Sequence, residues 1–110
     1  MERRNFSRKE IRLPCALEVA GASPLQGQTR DISPDGVSGH FPGLMVPGRR
    51  LPKLGDTGVL SLSPPAGSMS RQALKIPCRV AHVTGNVIGL QINTQLLTLP
   101  QRETFAAIMR

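Results

Sequence analysis

The 110-residue chain predicts an all-β domain, a small six-stranded antiparallel barrel followed by one C-terminal helix. Three observations lead there. Its 11 Gly and 10 Pro recur along the whole length, which suits many short strands joined by turns. Between them apolar and polar residues alternate, the period-2 signature of a strand with one buried face. Only the final stretch changes to helical spacing. Closure into a barrel removes the exposed edges that six short strands would otherwise leave. At this length one domain with a single modest core is expected.

The elements follow in order. Residues 1–12 carry too few apolar groups to pack and read as a flexible loop. "RLPCALEVAG" is a first strand, with Leu13, Cys15, Leu17 and Val19 alternating against Pro14, Ala16 and Glu18. "LQGQTRDIS" is a second strand and "GVSGHF" a short third. In "GDTGVLSLSP", Val59 and Leu60 begin an alternation that runs through Leu62. "QALKIPCRVAHVTG" and "NVIGLQIN" form a hairpin turning at Thr84-Gly85-Asn86. The intervening "PGLMVPGRRLPKLG" and "SPPAGSMS" are too rich in Pro and Gly to continue a strand. In "TQLLTLPQRETFAAIMR", Leu99, Phe105, Ala106, Ile108 and Met109 recur at helical intervals, and Pro100 suits a first turn. The organisation is therefore a loop over 1–12, a barrel over 13–96 and a helix over 97–110.

Composition narrows the function. The 14 Lys and Arg outnumber the 7 Asp and Glu, for a formal charge of +7, and such an excess favours a polyanionic partner. Arg3, Arg4, Arg8, Lys9 and Arg12 concentrate that charge in the first twelve positions. Three Phe and no Trp or Tyr count against a single-strand nucleic-acid platform, which stacks bases on aromatic faces; a stacked ligand would have to use arginine. Cys15 and Cys78 are too few for a disulfide scaffold and read as small buried side chains, a disulfide or a zinc site with His40 and His82 being the alternatives. No segment of eighteen apolar residues is present, so a cytoplasmic protein without membrane insertion is expected. His40 and His82 lie in strand-like runs with no nucleophile–base pair or paired carboxylates in evidence, so no enzyme and no metal site are expected.

Two stretches carry the recognition chemistry. Arg4 and Arg8 lie four residues apart with Arg3 beside them. A guanidinium binds phosphate bidentately, pairs with the O6/N7 edge of guanine, and stacks on a base. A solvated basic tail is the competing reading of the same cluster. In "DISPDG", Asp31 offers an acceptor for the N1–H and N2–H₂ edge of guanine, with Ser33 close by. The same residues also organise turns through their own backbone, with Gly36 supplying a positive φ.

Together, "RRNFSR" and "DISPDG" resemble the PilZ domain, a bacterial receptor for cyclic di-GMP with an RxxxR motif before its first strand and [D/N]xSxxG between its second and third. Arg4 and Arg8 match the first motif; Asp31, Ser33 and Gly36 match the second. The resemblance implies a barrel whose N-terminal loop folds over the ligand, with the arginines on phosphates and guanine edges and the Asp-Ser turn on the other guanine. It also implies two ligands per chain, because an arginine just before RxxxR, here Arg3, goes in this family with a stacked ligand pair. Arg79, at the start of the last hairpin, is a weaker candidate for covering an outer base. A downstream protein partner in exopolysaccharide, motility or pilus control is implied as well. The remaining readings are a basic barrel that binds RNA or DNA, which leaves Asp31 and Ser33 unexplained, and a PilZ fold serving as an interaction module without ligand.

Overall fold

The structure, a computed structural model, describes residues 8–64 and 73–109. Its strands are β1 (Lys9–Glu10), β2 (Pro14–Val19), β3 (Leu25–Ser33), β4 (Gly36–His40), β5 (Thr57–Leu62), β6 (Leu74–Thr84) and β7 (Val87–Ile92), followed by helix α1 (Leu99–Met109). Every pairing is antiparallel, and β3–β2–β5–β6–β7–β4 closes on itself through the β3–β4 ladder. This is the six-stranded barrel with one C-terminal helix that the sequence predicts.

Alternation builds the interior. Leu17, Ile32, Leu60, Ile76 and Ile88 are all buried side chains of the core; Leu17, Leu60 and Ile76 are each flanked along the strand by residues that reach solvent. At about 25 cal/mol per Å² of apolar surface removed from water, such side chains contribute roughly 1.5–3 kcal/mol each. The helix adds Phe105 and Ile108 to the same core. A reciprocal cap starts it: Thr98 N donates to Gln101 Oε1 at 2.8 Å, and Gln101 N to Thr98 Oγ1 at 3.3 Å, satisfying donors that a first turn leaves open. The helix proper thus begins at Leu99, two residues after the expected start.

Of the expected loop over 1–12, residues 1–7 lie outside the described residues, and the rest is not all loop. Lys9 and Glu10 form β1, pairing with Ile32 and Asp31 of β3. The cause is one buried hydroxyl. Thr29 Oγ1 accepts from Leu13 N at 2.9 Å and donates to the carbonyl of Ile11, while Thr29 N donates to the Leu13 carbonyl at 3.0 Å. Those bonds pin the chain against β3 just before β2 begins. Cys15 and Cys78 are free thiols buried in the core, and burial pushes both up to about 11. No helix among the described residues is long and apolar enough to cross a membrane.

Candidate functional site

The β3–β4 hairpin turns on Pro34 and Asp35, with Ser33 paired to Gly36. Ser33 is buried; its hydroxyl donates to Asp35 Oδ1 at 2.7 Å, with the Gly36 carbonyl at 3.2 Å as the longer alternative acceptor. It therefore braces the turn. Gly36 corrects the expectation set for it. Its φ is not among the positive ones; what favours a glycine is space, since a Cβ there would sit a tight 3.2 Å from the Leu90 carbonyl of β7.

Asp31 faces outward because of a bulge. Thr29 pairs with Gly39 and Asp31 with Ser38, so Arg30 is an extra residue in β3. In an unbroken ladder Asp31 would stand opposite Val37, which is buried, and would point into the core. Bulges re-aim side chains in this way. Arg8, one residue before β1, lays its guanidinium on the Asp31 carboxylate. Side-chain exposures of 46% for Arg8 and 24% for Asp31 leave both groups within reach of a ligand.

Arg8, Asp31, Asp35, Gly36 and Ser38 share a concavity of about 440 Å³ with Ala81, His82, Gly89 and Gln91 from β6 and β7. A second hollow of about 550 Å³ adjoins it across Asp31, lined by Arg12, Arg30, His40 and Gln28 among others. Arg79 is elsewhere. It pairs with Gln91 on one side and Thr57 on the other, and lines a third concavity with Thr57, Pro77 and Asn93; Gln91 separates it from Arg8 and Asp31. Arg3 and Arg4 lie outside the described residues. Sequence reasoning missed Ser38, His82, Gly89 and Gln91 as members of this face. An isolated glycine inside the apolar run "VIGLQI" is the one signal that pointed to a close approach there.

Chemically, the face offers a planar cation beside an acceptor-only carboxylate, with a hydroxyl and an amide nearby. Such a set can donate to an anion and accept from N–H groups. The comparisons agree with that chemistry. The family model described as PilZ domain matches residues 2–109, and the chain belongs to the PilZ family, a family of cyclic di-GMP receptors. Among solved structures it is similar to the Bacillus subtilis inhibitor of motility (MotI/DgrA), at 13% identity and a TM-score of 0.72 over 100% of this chain and 51% of that one. It thus spans about half the length of that protein. It is also similar to the PilZ domain of CeSA from a cellulose-synthesizing bacterium, at 16% identity and a TM-score of 0.65, covering 93% of both chains. No curated protein matches it by sequence.

Proposed function

We propose that this chain is a receptor for cyclic di-GMP that closes its N-terminal segment over the dinucleotide and passes the change to a protein partner in exopolysaccharide, motility or pilus control. The observation that carries the reading is the meeting of Arg8 and Asp31 in one concavity. The pair suits the ligand because it joins a phosphate and guanine-edge donor to an acceptor for guanine N1–H and N2–H₂. An exposed ion pair is worth only about 0–1 kcal/mol, so ligand contacts replace it at small cost. The adjoining hollow, with Arg12 and Arg30 across Asp31, supports room for a second ligand, to which Arg3 and, more remotely, Arg79 would contribute charge.

Calorimetry with cyclic di-GMP tests the reading, with saturable binding at two ligands per chain expected. An endpoint of one rejects the pair and keeps the receptor. No heat and no change in melting temperature at millimolar ligand reject the receptor itself, and a gel shift with generic oligonucleotides across a salt series then tests the nucleic-acid alternative.

A further inference from the structure

Asp31 does not stand alone on the outer face. The ladders align Asp31 of β3, Ser38 of β4, Gly89 of β7 and His82 of β6 in one cross-strand row. The far end of that row is set by a second bulge. Val80 pairs with Leu90 and His82 with Gly89, leaving Ala81 as the extra residue. Without it Ala81 would face Gly89, and His82 would stand opposite the buried Ile88. One bulge at each end thus turns Asp31 and His82 out onto the same row.

Gly89 then fits a purpose. A Cβ on it would overlap the imidazole of His82, lying 2.5 Å from Nδ1 and 2.7 Å from Nε2. The ring's Nδ1–Cε1–Nε2 edge occupies the space a side chain on β7 would fill, so the imidazole leans back along the row toward Ser38 and Asp31. Strands are about 4.8 Å apart, and Asp31 lies two strands beyond Gly89, so a base laid on the face of the ring presents its edge toward the carboxylate. The chain has no Trp or Tyr. Among the described residues Phe41 and Phe105 are buried in the core, and His40 lines the adjoining hollow, which leaves His82 as the ring of this concavity.

We propose that His82, seated on Gly89, is the stacking platform for the guanine whose N–H edge Asp31 accepts. This rests on the reading of the site as a cyclic di-GMP receptor. Asp31 selects the base by its edge and His82 holds it by its face, while Gly89 acts as a positioning residue that lets the ring lie where the base arrives.

The test is a titration of cyclic di-GMP into wild type, His82→Ala, His82→Phe, Gly89→Ala and the double variant His82→Ala/Gly89→Ala, with ligand-free melting measured for each. Loss of one base–ring stack predicts about tenfold weaker binding for His82→Ala, and binding within about threefold of wild type for His82→Phe. Gly89→Ala displaces the ring and loses about as much, but adds nothing when His82 is already Ala, because the two act through one contact. In wild type, the His82 ring-proton resonances shift on saturation, under the ring current of the stacked base. Tight wild-type binding with His82→Ala within twofold, or ring resonances that stay still at saturation, overturns the platform and leaves the receptor standing. A wild type that does not bind overturns both.

Discussion

Replacing Asp31 by Ala separates binding from folding at a single atom group. Among the described residues the carboxylate has one side-chain partner, the Arg8 guanidinium, and both are partly exposed. An exposed pair of this kind contributes about 0–1 kcal/mol to stability, so ligand-free melting should fall by no more than a few degrees. In the proposed complex the carboxylate would accept two N–H groups from one guanine edge. Hydrogen bonds to a charged partner are worth about 1.5–3 kcal/mol, and part of the loss is recovered by water, so about 2 kcal/mol or more should go, roughly a thirtyfold weakening. The adenine analogue sharpens the test. Adenine presents an acceptor at N1 where guanine presents a donor, and wild type should reject cyclic di-AMP because the carboxylate faces that acceptor. Asp31→Ala should lose most of this preference, keeping only what arginine contacts to the guanine O6/N7 edge supply. Calorimetry with both ligands, beside thermal melting, reads all three quantities. An Asp31→Ala protein that binds cyclic di-GMP within twofold of wild type and still prefers it to cyclic di-AMP refutes the assignment and leaves Asp31 as the partner of Arg8 alone.

Arg4→Ala and Arg8→Ala should each weaken cyclic di-GMP binding by about 2 kcal/mol or more through a lost charge-assisted contact, with little change in ligand-free melting; full affinity in the double variant would remove both from the site. Gly36→Val should lower the melting temperature by at least several degrees, because even its Cβ stands 3.2 Å from the Leu90 carbonyl and about 1 kcal/mol shifts a domain of this size by roughly 4–8 °C; an unchanged melting curve would show that β4 and β7 move apart freely. Burial raises the Cys15 and Cys78 thiols from 9.0 to about 11, so the fold favours their protonated form. Their contribution to stability is complete below about pH 9 and is lost as pH rises toward 11. Denaturant melts at pH 8 and 10.5 should show a fall that is smaller in a Cys15→Ala/Cys78→Ala protein, and an equal fall in both would place the titration elsewhere.

What the sequence makes legible is whatever alternates. "LQGQTRDIS" occupies β3 residue for residue, and "NVIGLQIN" brackets β7 within one residue at each end, since Val, Ile and Leu on one face have nowhere to go but inward. β1 is not legible, because two residues have no period; its pairing depends on Thr29 Oγ1 reaching back to the backbone of Ile11 and Leu13. Gly36 is legible as a glycine but not in its reason, which lies on β7 and not in the turn. The Arg8–Asp31 pair spans 23 positions, and chemistry proposes both partners while only the β1–β3 register makes them meet.

The bulges explain why the rest of the face stayed hidden. An extra residue leaves local composition unchanged but reverses which side chains face out beyond it. Read with strict alternation, Asp31 and His82 both belong on the inner face, opposite Val37 and Ile88. An uncompensated carboxylate in that core is costly enough that the ladder gains by slipping. The price of the slip is one unpaired backbone position in each strand, at Arg30 and Ala81. What it returns is a single outward row from Asp31 to His82 across β4 and β7, with a glycine where the ring must lie. Polar residues that break a strand's alternation are therefore the ones to suspect in a chain like this. Here two such breaks, 51 residues apart in sequence, converge on the concavity that holds Arg8.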